Sequence, residues 1–286
     1  MNKIKLLNAR SNGMLPLPAS LFSGKDIIAT WGLLDKKLIG TDAVDKMIAK
    51  QMGYGSKLFT FILFHMGNPD EIFNPFLGNP TAAKIMEKVY SMQTVHVDEA
   101  EWKRWQIYLS AGLQPDVFLV PTIFCGDDAA TTQNNGFISW FCPAVVRALY
   151  PFYVALNIST EASKTMSCGQ MEFVIDVCKR AFDMEPKLSP KPICVHDQWN
   201  GYSRLPANMD VLIHEYKNHP KDGNERSVES VISETKEVLA ALPPHVSLWP
   251  QELNLDNEGS IARAQSRAIR ELARTEPRIV GLPGPV

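Results

Sequence analysis

Short, almost continuously apolar segments recur along the chain and alternate with amphipathic ones. Runs of about four to eight residues rich in Val, Ile, Leu and Phe are typical of strands buried on both faces of a parallel sheet. Eight such segments are predicted as strands: 26–33, 57–64, 116–124, 152–158, 192–196, 210–214, 246–249 and 278–282. Most are separated by a segment with helical periodicity. The pattern therefore predicts an α/β protein with a single (β/α)8 barrel, the TIM barrel.

The intervening segments have recognisable helix ends. Thr41 can cap one helix, and Asn79-Pro80 can open another. The predicted helices are 41–51, 80–92, 98–112, 143–149, 168–182, 228–242 and 261–273. We expect an extended N-terminal arm over 1–24 and the barrel domain over 25–286.

Two features of this predicted barrel are atypical. The fifth and sixth strands are joined only by 197–209, which leaves little room for a parallel crossover. The sequence also ends directly after the eighth predicted strand, so no closing C-terminal helix is expected.

Composition narrows the possible functions. The chain has 286 residues, is 45% apolar and 21% charged, and has a net charge of −2 with no basic stripe. This balance disfavours nucleic acid as a partner. No signal-peptide core or membrane-spanning run is apparent, so we expect a cytoplasmic protein or a component of a particle, without a membrane partner. The five cysteines form no C-x-x-C pair, and the function that the sequence favours involves neither a metal site nor a cofactor.

Active sites of such barrels lie at the carboxyl ends of the strands. Glu161 follows the fourth predicted strand and Glu252 the seventh, on opposite sides of the barrel mouth. Hydrolysis of a glycosidic bond needs two carboxyl groups, about 5 to 5.5 Å apart when configuration is retained. We therefore predict that Glu161 and Glu252 are the catalytic pair. Other side chains near strand ends are candidates for binding a sugar: Trp31, His65, Asn157, His196, Trp199, His214 and Tyr216.

A more specific pattern occurs at the sixth strand, where the chain reads His214-Glu215-Tyr216. His-x-Tyr at this place resembles the cellulase-like members of the clan-A retaining glycosidases. The resemblance implies that Tyr216 hydrogen-bonds the nucleophile Glu252, and that Asn157 belongs to the strand that carries the acid/base. Family members place the acid/base directly after that Asn, whereas three residues separate Asn157 from Glu161 here, and no Trp follows strand eight.

Two other functions are open. His65, His196 and His214 could, with Asp127 or Asp197, form a metal site of the amidohydrolase kind. That family has His-x-His after strand one, where this chain has Thr30-Trp31-Gly32. Alternatively, the barrel is a non-catalytic structural or glycan-binding component of a larger assembly, such as a phage virion or tail. In that case the N-terminal arm contacts an assembly partner or another copy of the chain in a homo-oligomer.

Overall fold

A computed structural model of the protein describes residues 28–31, 56–62, 118–124, 132–150, 153–198, 205–216, 226–251 and 260–280. The strands in these ranges are β1 (Ile28–Trp31), β2 (Ser56–Ile62), β3 (Phe118–Phe124), β4 (Leu156–Ser159), β5 (Ile193–Asp197), β6 (Val211–Glu215) and β7 (Ser247–Gln251). The helices are α1 (Asn135–Leu149), α2 (Cys168–Asp183), α3 (Val228–Ala241) and α4 (Ser260–Thr275), with a short 3-10 helix at Ala162–Lys164.

All seven strands form one sheet in which each pairs in parallel with the next along the chain, in the order β1 to β7. The position beyond β7 is occupied by a single parallel bridge between Leu248 and Ile279. There the Leu248 amide donates to the carbonyl of Arg278 at 2.7 Å, and the Val280 amide donates to the carbonyl of Leu248 at 2.8 Å. The eighth predicted strand is thus represented by one bridge in the described structure.

The apolar side chains form separate layers on the two faces of the sheet. Alternate strand residues such as Ile158, Val195 and Leu212 pack outward with α1 and α2 in the largest buried cluster. The intervening strand positions point inward and form a second cluster within the barrel, together with residues just before β4 and after the bridge of Leu248: Val120, Val154, Ala155, Cys194, Val211, Ile213, Trp249 and Val280. Because neighbouring residues of a strand face opposite sides, these two clusters identify the face of every residue in β5 to β7.

Asp210 fixes the alignment of three strands at their amino ends. Its Oδ2 atom accepts a hydrogen bond from the Ile193 amide at 2.8 Å, and its Oδ1 atom forms an ion pair with Nζ of Lys179 at 2.9 Å. Its own amide donates to the Ile193 carbonyl at 2.9 Å, and its carbonyl accepts from the Ser247 amide at 3.0 Å. One residue therefore connects the first residues of β5 and β7 across the start of β6.

The prediction for the helix before β4 was wrong at its start. The sequence pattern placed it from 143 because proline is favoured in the first turn of a helix. Instead, α1 begins at Asn135 and contains Pro143 in its interior. Proline removes one helical hydrogen bond, but the helix continues through it because Ile138, Phe141 and Val145 are fully buried on either side.

The remaining predicted helices agree with α2, α3 and α4 to within two residues at each end. Between β5 and β6, the described residues 205–210 contain turns and no helix, while 199–204 lie outside the described residues. The predicted arm 1–24 and the predicted helices 41–51, 80–92 and 98–112 also lie outside them. No helix within the described ranges is long and apolar enough to cross a bilayer.

Candidate active site at the carboxyl ends of the strands

The residue after β4 has an unusual backbone conformation. Glu161 has φ 41° and ψ 52°, and among the described residues no other side-chain-bearing residue has a positive φ. The left-handed region costs a non-glycine residue about 1 to 2 kcal/mol, so it persists only where surrounding contacts impose it. Here the Glu161 amide donates a 3.0 Å hydrogen bond to Nδ1 of His196 at the end of β5.

That hydrogen bond shows which ring nitrogen of His196 carries the proton. Because Nδ1 accepts a hydrogen bond, the proton of the neutral ring is on Nε2. Burial, reinforced by the nearby His214 and Lys164, lowers the pKa of His196 to about 3. His196 is therefore neutral at physiological pH and positions the backbone of Glu161.

Asp197 fixes the same loop one residue further along. Its Oδ2 accepts from the Ser163 amide at 3.0 Å, and its Oδ1 accepts from the Ser163 hydroxyl and the Gln198 amide, both at 2.7 Å. Burial raises the pKa of Asp197, whereas these hydrogen bonds lower it and the charge of Glu161 raises it further. Together, His196 and Asp197 attach the loop that carries Glu161 to the end of β5.

The carboxylates near this loop are close enough to influence one another. The Oε2 atom of Glu161 pairs with Nζ of Lys164 at 2.5 Å, and its side chain is one-third exposed. At the end of β6, Glu215 accepts a 2.9 Å hydrogen bond from the side-chain amide of Gln198. Burial raises the pKa of Glu215, against the bond from Gln198; the charges of Glu161 and Asp197 also raise it, and Lys164 lowers it.

Several buried polar atoms on the inward face have no hydrogen-bond partner in the described part of the chain. Asn157 is fully buried and donates from Nδ2 to the Thr122 hydroxyl at 3.0 Å, but its Oδ1 is unpartnered. The same holds for Nε1 of Trp249 and for both amide atoms of Gln251. Buried polar groups without partners are rare in native proteins and need an explanation, such as a ligand or ordered water.

His214 and Tyr216 face away from these groups. His214 follows the inward-facing Ile213, and its Nε2 lies 2.8 Å from Oε1 of Glu234 on α3. The Tyr216 hydroxyl lies 2.7 Å from the hydroxyl of Thr235, also on α3. Both rings therefore lie on the helix side of the sheet rather than at the predicted sugar-binding position.

The Tyr216 hydroxyl donates its proton to Thr235 on α3. Thr235 donates its single hydroxyl proton to the carbonyl of Val231 at 2.7 Å, so Tyr216 must donate to Thr235. The hydrogen bond from Tyr216 to Glu252 that the glycosidase resemblance implies would need that same proton.

Other predicted site residues fall outside the described residues, namely His65, Trp199 and Glu252. Trp31 is described only as the last residue of β1. For the metal alternative, His196 points inward and His214 outward, while Asp127 also lies outside the described residues. Within the described ranges, no three His, Cys, Asp or Glu side chains are grouped so that they could bind a metal ion.

The structure adds residues to the site that the sequence pattern did not select. Glu215 and Gln251 lie at the inward ends of β6 and β7, and Lys164 and Gln198 contact the carboxylates there. The signal that could have identified Glu215 is its separation by two residues from Ile213, which places both on one face. The sequence alone does not show that Ile213 faces inward, because both faces of these strands are apolar.

The resemblance to clan-A glycosidase barrels is confirmed at the level of the fold. The endo-1,4-beta-mannanase from Rhizomucor miehei matches with a TM-score of 0.60 and 12% identity, over 90% of this chain and 85% of that one. The beta-glucosidase from Thermotoga maritima in complex with castanospermine matches with a TM-score of 0.59 and 9% identity, over 90% and 87%.

A GH113 beta-1,4-mannanase also matches, with a TM-score of 0.53 and 11% identity, over 91% of this chain and 86% of that one. No family model matches the sequence, and no curated protein does so. At these identities the likeness concerns the fold, and the activity must be argued from the site.

Proposed function

We propose that the chain is a glycoside hydrolase that binds a glycan at the carboxyl ends of its strands and cleaves it with retention of configuration. The observation that carries the proposal is the concentration of unpartnered buried polar atoms at this end of the barrel, beside the carboxylate of Glu161. A sugar presents many hydroxyl groups that both donate and accept hydrogen bonds, which is what buried amides and carboxylates require.

In the proposed reaction, Glu252 attacks the anomeric carbon while Glu161 transfers a proton to the departing glycosidic oxygen. The bond to that oxygen breaks, and a covalent glycosyl ester of Glu252 forms. Glu161 then removes a proton from water, which attacks the anomeric carbon and releases Glu252. Asn157 would bind a sugar hydroxyl through its Oδ1 atom, which is inward-facing and unpartnered in the described structure.

His196 and Asp197 support this reaction as positioning residues. Their hydrogen bonds to the Glu161 amide and to Ser163 keep the acid/base loop in a conformation that Glu161 would not adopt by itself. Catalytic groups must be placed to within a fraction of an ångström, so a loop fixed from a neighbouring strand is well suited to carry one.

The decisive experiment compares glycan hydrolysis by the wild type with hydrolysis by Glu161→Gln and Glu252→Gln. The panel contains β-1,4-mannan, cello-oligosaccharides and 4-nitrophenyl β-glycosides, with reducing ends or nitrophenol as the readout. Loss of general acid/base catalysis should reduce the rate about 10²- to 10⁴-fold. The matched control is Glu185→Gln, which removes a charge after α2 at the opposite end of the barrel. Equal rates in the wild type and both variants would refute the catalytic roles.

Azide distinguishes the two glutamates. In Glu252→Gly, azide can attack the anomeric carbon from the vacated side and give a glycosyl azide of inverted configuration. In Glu161→Gly, azide should attack the glycosyl ester from the side of the leaving group and give the retained configuration. The opposite products would exchange the two assignments.

A second candidate function is glycan binding without hydrolysis, as in a component of a larger assembly. The observation that favours it is the ion pair between Glu161 and Lys164, which a proton-donating carboxyl group would have to give up. Calorimetric titration with the same glycans separates the two functions. Binding without release of reducing ends supports the second, and Lys164→Met should not restore hydrolysis if it is correct.

A further inference from the structure

The inward ends of β6 and β7 place two polar side chains next to each other. Glu215 and Gln251 are register partners in the parallel pair, one step beyond the pair formed by Ile213 and Trp249. Ile213 and Trp249 both belong to the buried cluster inside the barrel. Since strand residues two apart share a face, Glu215 and Gln251 line the interior directly above that cluster.

Neither side chain has its hydrogen-bonding capacity filled by the described protein. The Oε2 atom of Glu215 is buried and unpartnered, although Gln198 binds Oε1. Gln251 is only 2% exposed, and both its Nε2 and Oε1 atoms are unpartnered. Burying such groups without a partner costs roughly 1 to 3 kcal/mol each, so two adjacent cases indicate a common external partner.

The charges around the pair limit what that partner can be. Burial raises the pKa of Glu215, against the hydrogen bond from Gln198; the charges of Glu161 and Asp197 raise this pKa further, and that of Lys164 lowers it. An anion would be repelled by these three carboxylates. A cation would leave the Nε2 donor of Gln251 without a partner. A hydroxyl group fits, because it can donate to Oε2 of Glu215 and accept from Nε2 of Gln251.

We propose that Glu215 and Gln251 form a hydroxyl-binding site for one sugar ring of a neutral glycan, with adjacent hydroxyls of that ring bridging the two side chains. The indole N–H of Trp249, one step deeper on the same face, is the donor available to a further hydroxyl. This inference rests on the proposed glycan-binding function and adds to it the residues that select the sugar.

The first test is Gln251→Leu, whose effects on stability and on binding should have opposite signs. Removing an unpartnered buried amide should raise Tm by about 2 to 4 °C, since about 1 kcal/mol shifts Tm by that amount in a chain of this size. Binding of β-1,4-mannotetraose or cellotetraose, titrated in a Glu252→Gln background to keep the glycan intact, should weaken about tenfold or more.

The control is Gln265→Leu, because Gln265 is buried on α4, where its Oε1 atom is also unpartnered but its Nε2 atom donates to the carbonyl of Arg226 at 2.7 Å. It should lower Tm and leave the glycan affinity unchanged. A fall in Tm for Gln251→Leu, or an unchanged dissociation constant, would overturn the inference.

The second test is Glu215→Gln, which keeps the shape of the side chain and removes its charge. A hydrogen bond to a charged acceptor contributes about 1.5 to 3 kcal/mol, which corresponds to roughly 10- to 150-fold in affinity. A deoxy sugar that lacks the bridging hydroxyl should bind the wild type and Glu215→Gln equally, and Glu185→Gln should behave as the wild type.

Full affinity in Glu215→Gln, with the wild type binding the glycans, overturns this inference alone. If ordered water fills the site and nothing displaces it, the variants will match the wild type and the inference is equally overturned. Absence of any glycan binding by the wild type overturns the proposed function as well.

Discussion

Buried polar groups are paired to different extents at the two ends of the barrel, although Ser247 and Asn208 at the amino ends each retain one unpartnered atom. At the amino ends of the strands, Lys191 is 2% exposed and donates to the backbone carbonyls of Tyr150 and Tyr153, the latter at 2.6 Å. Its ammonium also lies over both tyrosine rings, 3.8 and 4.2 Å from their centroids. At the carboxyl ends, Asn157, Glu215 and Gln251 retain unpartnered atoms.

This contrast separates stability from function. Buried polar groups whose partners come from the protein stabilise the fold, whereas groups left without a partner lower stability and are kept where a ligand supplies the missing bonds. Substitutions at the amino ends should therefore change stability and spare activity. Substitutions of unpartnered groups at the carboxyl ends should weaken glycan binding and leave stability unchanged or raise it.

The largest effect is expected for Lys191→Ala. It removes the donor shared by two buried carbonyls and leaves a cavity between two rings, so the free energy of unfolding should fall by about 3 kcal/mol. Urea denaturation measures this, with exposed Lys187→Ala as the control. Glycan binding by the folded fraction should be unchanged. A loss of less than about 1 kcal/mol would contradict the assigned role of Lys191.

A smaller, pH-dependent effect is expected on the helix side of β6, where Glu234 contacts both His214 and Arg226. Although burial opposes it, these two contacts lower the pKa of Glu234 below its ordinary 4.5. A lowered pKa stabilises the fold above the ordinary value, and this stabilisation is lost as the pH falls through the folded-state pKa.

Glu234→Gln should therefore destabilise the protein by about 1 to 3 kcal/mol at pH 7. The difference from the wild type should shrink below pH 4.5. Urea titrations at several pH values measure it, with exposed Glu237→Gln as the comparison. A difference that persists unchanged at low pH would show that the carboxylate charge contributes nothing.

At the carboxyl ends, the left-handed backbone conformation of Glu161 should lower the stability of the fold. Glu161→Gly and Glu161→Ala both remove the carboxylate, but only glycine adopts φ 41° without steric cost. The glycine variant should be more stable than the alanine variant by about 1 kcal/mol. Because both variants lack the carboxylate, they differ only in the cost of adopting a positive φ. Equal stabilities would therefore mean that the left-handed conformation carries no strain.

The smallest effect is expected for Tyr216→Phe, which removes the donor to Thr235. The loss of one hydrogen bond should cost about 0.5 to 1.5 kcal/mol of stability and change glycan hydrolysis by less than about twofold. A large fall in hydrolysis at unchanged stability would instead support the role that the glycosidase resemblance implies, a contact of Tyr216 with Glu252.

The sequence pattern predicted the alternation of strands and helices because burial of a parallel sheet on both faces leaves continuous apolar runs. For the same reason it could not predict which face each strand residue occupies, since the period-two signal is absent when both faces are apolar. His214 and Glu215 are neighbours in one short strand; the sequence analysis predicts His214 as a sugar-binding residue, whereas the structure places His214 on the helix side and Glu215 on the inward face. The predicted helix before β4 is shorter than α1 because Pro143 is typical of a helix start, whereas here it lies in the interior of the helix.

The loop after β4 shows a second limit. The sequence analysis predicts Glu161 because it follows the fourth strand, across the barrel mouth from Glu252, and the structure gives Glu161 a left-handed backbone conformation after β4. Its fixation by His196 and Asp197 depends on contacts between residues about 35 positions apart in the chain. No local pattern of residue types encodes such contacts, so the loop geometry could not be predicted from the sequence.

Asp210 has a consequence far from its own position. It aligns the starts of β5, β6 and β7 at one end of the sheet, and the alternation of side chains transmits that alignment to the other end. A slip of β6 by a single residue would exchange the faces of Glu215 and His214, putting an imidazole into the barrel mouth and a carboxylate under α3. The face that Glu215 occupies at the carboxyl ends thus depends on an alignment that Asp210 fixes at the amino ends. A substitution at Asp210 that allowed such a slip would leave the rest of the sequence unchanged and place each β6 side chain on the opposite face.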